Sequence, residues 1–236
     1  MVCCQNRNLT SKGTSARKRA GLVTAFLACA LGVKHTKDRA MIEEIKKYIT
    51  EYAENYYCMG VSEGVPEEMR DGPVDDEGWV PWKVIPSNVT DSDLAEIEEQ
   101  YGFKIPPYFS GYLKACFQLL DQIHSNKYEG NLVMMSCCPS DNPLGPLRDL
   151  MKAWSPLFNS GYVPFAEWND GWGPMCLDLQ APSTEGDDFS VVWFDHDEII
   201  PLGEDACGKR DQIEKYSRPL YGSFKELFFD VYAKNA

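Results

Sequence analysis

Apolar positions follow two different periods along this chain, and the change of period separates helical parts from a strand-rich part. Between residues 41 and 57, apolar side chains recur every three or four positions, the spacing of one face of an amphipathic α-helix. Residues 60–78 are rich in Gly, Pro, Asp and Glu, so they are predicted to form a loop or linker. Helical spacing then returns over residues 91–101 and 107–123.

Capping residues mark the limits of these two later helices. Thr90 is a favourable N-cap residue, and Asp93 in the first turn complements the positive end of the helix dipole. Gly102 is suited to the position just after a helix ends, because glycine adopts the left-handed conformation without strain. Pro106-Pro107 suits the first turn of the next helix, where an amide donor has no intrahelical partner.

Three short apolar runs separated by turn residues follow in the second half of the chain. They cover Tyr162–Trp168, Met175–Gln180 and Ser190–Asp195. The first connection, Asn169-Asp170-Gly171, consists of residues that tolerate the positive φ of a tight hairpin. The second connection, Ser183–Asp188, is a looser turn with a glycine near its centre. The pattern predicts an antiparallel meander.

Further elements flank this meander. Asn131–Ser136 is predicted to be a first strand and Leu147–Trp154 a short helix. Ser223 can cap a C-terminal helix, since apolar positions after it again follow helical spacing. Helices before and after consecutive strands predict an α+β fold, in which an antiparallel sheet meander is flanked by N-terminal and C-terminal helices.

The chain is expected to consist of three segments. Residues 1–40 form a leader that is first basic and then apolar. Residues 41–78 contain the N-terminal helix and an acidic loop, and residues 79–236 form the α+β domain.

The leader allows two interpretations. Its apolar stretch, residues 20–33, is shorter than the about 20 residues that span a bilayer, but it matches the apolar region of a secretory or lipoprotein signal. The alternative, which we favour, is that the leader is spurious or disordered and that translation begins at Met41. A membrane location would require the leader to be a genuine signal.

The two signs of charge are segregated along the chain. The whole chain has a net charge of −13, whereas residues 1–40 contain eight basic side chains and one acidic side chain. Residues 41–236 therefore contain 15 basic and 35 acidic side chains. Such a body repels nucleic acid and attracts basic partners over about one Debye length, about 8 Å at physiological salt. The alternative is that the acidity only maintains solubility.

Cysteine usage favours a reducing compartment. The chain has nine cysteines, an odd number. Its adjacent pairs, Cys3-Cys4 and Cys137-Cys138, have unfavourable geometry for internal disulfides. No CxxC spacing occurs in the sequence, so nothing supports a zinc knuckle. We therefore expect a cytoplasmic protein with no metal ion and no cofactor.

The sequence does not favour an enzyme. No GxSxG motif, P-loop or Cys-His signature occurs in it, and it has only three histidines. The run Asp195-His196-Asp197 is compatible with metal or acid–base chemistry, because alternation on a strand would place both carboxylates on one face. Two carboxylates make a weak cation site, so a solvated strand end is the favoured interpretation. A metal-dependent hydrolase that uses Asp195 and Asp197 is kept as the last alternative.

The meander also carries the candidate binding residues, which combine tryptophans with carboxylates at turns and strand ends. They are Glu167, Trp168, Asp170, Trp172, Asp187, Asp188, Asp195 and Asp197. Exposed tryptophans rimmed by carboxylates are typical of a protein-binding surface. The alternative is that both tryptophans anchor the core and that the carboxylates are merely solvated.

Two successions of residues carry a family resemblance. The first comprises Trp82, Pro86, Ser87, Glu98, Gly102, Ile105, Pro106 and Tyr108. The second comprises Tyr162, Val163, Pro164, Phe165, Gly171, Gly173, Leu177, Asp178 and the run from Val192 to Asp197. In this order, over about residues 79–229, they are similar to the SUKH superfamily of Smi/Knr-type domains.

The resemblance implies a non-catalytic protein-binding module without catalytic residues to carry over. SUKH domains include fungal cell-wall regulators and bacterial immunity proteins that accompany polymorphic toxins, frequently nucleases. The implied function is an immunity protein that binds and occludes a cognate basic protein toxin, with a nuclease as the expected class. The alternative is a cellular regulatory scaffold of the Smi/Knr type.

Overall fold

The computed structural model describes residues 36–55, 58–184 and 186–233. The chain divides into two compact units, Met1–Ala40 and Met41–Ala236. The strands and the candidate binding residues all belong to the second unit.

The first unit is described over residues 36–40, which are helical. Residues 1–35 and the apolar position Tyr56 lie outside the described residues, so the signal segment and the internal start stay predictions.

The second unit opens with α1, which is helical over residues 41–55. Its apolar face is buried at Ile45, Ile49 and Tyr52, in agreement with the predicted amphipathic helix. This face joins the main hydrophobic core of the unit.

Residues 60–78, predicted to be a loop or linker, mostly form the connection of a hairpin. Strand β1 (Met59–Val61) pairs antiparallel with β2 (Trp79–Pro81). The connection between the two strands buries Val65 and Met69 in the core. Each strand has only three residues, so alternation is too short to be detected among the Gly, Pro and acidic residues.

Helices α2 (Asp91–Tyr101) and α3 (Pro107–Ala115) follow. The Asp93 amide donates to Thr90 Oγ1 at 3.3 Å, and the Thr90 amide donates to Asp93 Oδ2 at 2.7 Å, which completes a capping box. Gly102 has a φ of 71° just after α2. These local predictions are confirmed.

The predicted extension of α3 to residue 123 is wrong. The backbone becomes extended at Cys116, where β4 (Cys116–Phe117) pairs with β3 (Ile85–Pro86). Apolar residues at three- and four-residue steps continue past this point because the chain stays in the core, as at Ile123. Burial in a strand and burial on a helix face cannot be distinguished by spacing over so few residues.

A six-stranded sheet forms the centre of the unit. Its strands are β5 (Gln122–His124), β6 (Leu132–Met135), β7 (Tyr162–Trp168), β8 (Gly173–Pro182), β9 (Phe189–Trp193) and β10 (Arg218–Tyr221). They lie in the order β10-β9-β8-β7-β6-β5, and every neighbouring pair is antiparallel. The predicted meander is confirmed, with strand ends shifted by one or two residues.

Helices flank this sheet, which confirms the α+β fold. The remaining helices are α4 (Gly145–Ala153), α5 (Pro156–Asn159), α6 (His196–Ile199), α7 (Glu204–Cys207), α8 (Arg210–Ile213) and α9 (Phe224–Tyr232). Ser223 caps α9, as predicted, by accepting from the Glu226 amide at 3.0 Å. Helix α9 packs on α3, where the rings of Phe109 and Phe224 lie 4.7 Å apart.

Both faces of the sheet are buried at its central strands β7 and β8. Val163 of β7 faces the main core, whereas its neighbour Tyr162 faces a second, smaller apolar cluster with residues of α5 to α8. A partly buried ion pair connects α8 to this face. Arg210 Nη1 and Nη2 lie 2.6 and 2.8 Å from the two carboxylate oxygens of Asp178. The Arg210 guanidinium also lies 4.2 Å from the centre of the Tyr162 ring.

Candidate functional site

The turn between β7 and β8 is the geometric centre of the candidate site. Asn169, Asp170 and Gly171 have φ values of 55°, 60° and 82°, as their residue types predict. The Trp172 amide donates to the Trp168 carbonyl at 2.8 Å and closes the turn. The turn therefore presents its side chains on an ordered backbone.

The two tryptophans beside this turn have opposite environments. Trp168 is 4% exposed and contacts the rings of Tyr128 and Trp193, so it belongs to the core. Trp172 is 54% exposed. Of the two, only Trp172 is available to another molecule.

Helix α6 is fastened to this turn from the other side. The His196 amide donates to the Trp172 carbonyl at 2.9 Å, and His196 Nδ1 lies 3.2 Å from the Gly171 carbonyl. Gly173 permits this approach, because a Cβ atom there would lie 2.0 Å from the Phe194 carbonyl oxygen. Sequence positions 169–173 and 194–196 are thus brought into direct contact.

The structure corrects the strand-end interpretation of Asp195-His196-Asp197. Strand β9 ends at Trp193, and Asp195 is the N-cap of α6, with Oδ1 accepting from the Asp197 amide at 3.0 Å. Asp195 Oδ2 also lies 3.3 Å from Nη1 of Arg218. The two carboxylates therefore differ: Asp195 is engaged in structure, whereas the Asp197 side chain is 88% exposed and 3.2 Å from His196 Nε2.

An exposed isoleucine lies at the C-terminal end of α6. Ile200 follows α6, its amide donates to the His196 carbonyl, and its side chain is 62% exposed. We name the set Asp170, Trp172, His196, Asp197 and Ile200 the Trp172 surface. Sequence reasoning missed Ile200, because the Ile199-Ile200 pair indicates core, and here Ile199 alone is buried.

Two predicted binding residues lie at the other end of the sheet. Asp187 and Asp188 belong to the β8–β9 turn, where the Ser183 amide donates to the Asp188 carbonyl at 2.9 Å. Strand β8 separates this turn from the Trp172 surface and has ten residues, a length of about 33 Å. The predicted carboxylates are therefore divided between two ends of the sheet.

Asp188 stabilises the fold at that second end. Its Oδ1 accepts from its neighbour Phe189 at 2.8 Å, and its Oδ2 accepts from the Lys225 amide in the first turn of α9 at 3.1 Å. Desolvation by burial raises the pKa of this carboxyl above its ordinary value, although these amide donors act in the opposite direction. Asp187 beside it is exposed.

The last predicted residue, Glu167, lies on β7 away from both turns' tips. It is half-buried and pairs in register with Pro174 of β8 and Met134 of β6.

The side chains present do not suggest a metal centre. Within the described ranges, no three His, Cys, Asp or Glu side chains lie close enough together to hold a metal ion. A cation between Asp195 and Asp197 would have to displace the Arg218 guanidinium from Asp195. The structure thus offers the hydrolase alternative no assembled ligand set over these residues.

The described cysteines are free thiols. Four of the six are buried: Cys116, Cys138, Cys176 and Cys207. Burial raises the pKa of the Cys116 thiol to about 12, so it stays protonated and unreactive at neutral pH. Over the described part of the chain, no helix combines the length and apolarity needed to cross a bilayer.

The family comparison agrees with the architecture and with the residues that suggested it. A family model described as the SMI1/KNR4 family (SUKH-1) matches residues 88–228. The chain belongs to this family. The match includes α2 to β10, the whole six-stranded sheet and the Trp172 surface. No curated protein matches the chain.

The geometry gives physical reasons for several residues of the resemblance. Glu98 fixes the connection between α2 and α3, because its Oε1 accepts from the Ile105 amide at 2.9 Å and its Oε2 pairs with Lys104. Gly171 and Gly173 serve the turn and the close approach of α6. These roles are structural, in keeping with a family that is generally non-catalytic.

Proposed function

We propose that this SMI1/KNR4-family protein is an immunity protein that neutralises a cognate basic protein toxin of the nuclease class by binding and occluding it. It works without bond-making chemistry and without a cofactor. The observation that carries the proposal is the Trp172 surface, an ordered apolar and acidic surface on the family domain.

The chemistry of this surface fits such a target. Trp172 and Ile200 supply apolar area that is already exposed and held by a closed turn and a helix end, so little ordering is needed on binding. Asp170 and Asp197 are exposed beside them. A nuclease presents Lys and Arg where phosphates bind, and carboxylates can occupy that cleft in place of the substrate.

The charged and the apolar side chains of this surface have different kinetic roles in the proposed complex. The carboxylates accelerate encounter with a basic partner. The aromatic and aliphatic side chains, which become buried in the complex, slow dissociation. The acidity of residues 41–236, with 35 acidic and 15 basic side chains, extends this attraction beyond the contact itself. Nucleic acid, being anionic, is repelled by the same field.

The test begins with the full chain as bait in an extract of its own source, with Trp172→Ala as the matched bait. We expect a basic nuclease to be captured by the wild type and lost with the variant. Purified wild type should inhibit that nuclease at one-to-one stoichiometry. The association rate should fall about tenfold or more between low and moderate salt.

Two results would contradict the proposal in different ways. An association rate insensitive to salt would remove the electrostatic part of the mechanism. Capture of a cellular protein without toxic activity would favour the Smi/Knr-type regulatory scaffold, which the family match also accommodates.

A further inference from the structure

The hairpin that precedes the family match carries the other exposed apolar surface. Among the described residues, the exposed large apolar side chains are Val61, Val74, Trp79, Trp172 and Ile200. Three of them belong to the segment of residues 59–81, which we name the Trp79 hairpin. This segment ends before the family match begins at residue 88.

The register of the hairpin explains why these side chains point away from the core. Val61 lies directly opposite Trp79 across the two strands, so both side chains share one face. The next pair, Gly60 and Val80, has the opposite orientation, and Val80 is fully buried. Trp79 is 41% exposed on the outer face.

The hairpin is held in place, so the exposed face is a defined surface. Asp75 Oδ1 accepts from the amides of Glu77 and Trp79 at 3.0 and 2.8 Å. Arg70 reaches back to the Val65 and Ser62 carbonyls at 3.2 and 2.7 Å. These bonds order the turn and place Trp79 without covering its exposed part.

The charge around this exposed face favours a cationic binding partner. Residues 59–81 contain one basic side chain, Arg70, and seven acidic ones. The exposed acidic residues are Glu63, Glu67, Glu68, Asp71, Asp75, Asp76 and Glu77. A second copy of the chain would bring two such acidic faces together, and like charges would oppose that contact.

We propose that the Trp79 hairpin is a second docking surface, which takes a cationic polypeptide segment bearing an apolar side chain. The apolar side chain packs on Val61 and Trp79, and lysines or arginines of the segment meet the surrounding carboxylates. The proposal does not depend on the immunity function, because the hairpin lies outside the residues of the family match and of the Trp172 surface.

The test uses a displayed library of random twelve-residue peptides, selected on the full chain. Enriched peptides are synthesised, and their affinities are measured for the wild type, Trp79→Ala and Trp172→Ala. We expect peptides rich in Lys and Arg with an aromatic or branched apolar residue. Their affinity should fall about tenfold or more in Trp79→Ala and should not change in Trp172→Ala.

A charge-reversal variant tests the same surface independently, in case Trp79→Ala impairs folding. Asp76→Lys at the exposed turn should weaken the same peptides about fivefold, whereas Glu99→Lys on α2 makes the same charge change at an exposed position away from the hairpin and should have little effect. The proposal is overturned by enriched peptides that are neutral or acidic, by affinities that depend on Trp172 instead, or by equal losses in the two charge reversals. Failure to enrich any peptide that depends on Trp79 overturns it as well.

Discussion

The turns at the two ends of strand β8 both contain aspartates, but one turn exposes its side chains and the other stabilises the fold. At one end, Asp170 lies on a tight turn beside exposed Trp172, and α6 is fastened behind that turn. At the other end, Asp188 also lies in a turn, but its carboxylate accepts amide hydrogens from the start of α9. The Asp188 carboxylate is therefore engaged in the fold, whereas the Asp170 side chain is exposed to solvent.

Residue type alone does not determine whether an aromatic side chain beside a turn is exposed. Trp168 and Trp172 bracket one turn, yet only the second is exposed. The alternation of β7 decides this difference, because Trp168 is the last strand residue and its side chain faces the core.

The largest effect is expected at the glycine that brings α6 to the turn. Gly173→Ala places a Cβ atom 2.0 Å from a backbone oxygen at a φ of 146°, so we expect a loss of about 4 kcal/mol or more in the free energy of unfolding. Gly186→Ala in the β8–β9 turn is the control. Its φ is 112° but nothing lies within 4 Å of the added Cβ, so about 1 kcal/mol is expected. Equal losses in urea unfolding would show that α6 does not constrain the first turn.

The next effect is a loss of partner affinity that leaves the stability of the protein unchanged. Trp172→Ala should lower affinity for the captured partner by about 2 kcal/mol, about thirtyfold, and leave thermal unfolding nearly unchanged because the side chain is largely solvated. Trp168→Ala is the matched variant and should instead cost about 3–5 kcal/mol of stability. Calorimetric titration and thermal unfolding measure the two quantities. A large drop in stability for Trp172→Ala would place this residue among the core anchors.

A smaller effect on stability is expected at the other end of the sheet. Asp188→Ala leaves the Phe189 and Lys225 amides without their acceptor, which should cost about 1–2 kcal/mol in unfolding free energy and nothing in partner affinity. Asp187→Ala, exposed next to it, should stay within about 0.5 kcal/mol of the wild type. A loss of partner affinity in Asp188→Ala would break the distinction between the two ends.

The smallest effect is a pH dependence. Because burial raises the pKa of folded Asp188 above its ordinary value of 3.8, the folded state binds more protons than the unfolded state between those two values. This contribution to stability is therefore full below 3.8 and lost as pH rises through the folded pKa. Relative to Asp188→Asn, the wild type should gain stability as pH falls from 7 to 4. Relative to Asp187→Asn, no comparable gain is expected, and a flat difference for Asp188→Asn would refute the shift.

The features that the sequence predicts well are those fixed by neighbouring residues. The capping box at Thr90, the left-handed Gly102 and the turn at 169–171 each depend on a few adjacent side chains and the backbone, so residue types suffice to place them. The same holds for β7, whose limits are bounded by turn residues.

The features that the sequence does not predict depend on contacts between distant segments. Asp188 takes its role from an amide 37 residues later, and Ile200 is exposed at the end of a short helix whose first residue bonds to the β7–β8 turn. The Trp79 hairpin has strands too short to show alternation.

Amide hydrogen exchange on the complex between the full chain and its captured partner is the most direct test of the Trp172 surface. We expect binding to slow exchange at residues 169–172 and 196–200 and to leave exchange at residues 186–188 and 222–226 unchanged. Protection of the second pair of segments, with none of the first, would contradict it.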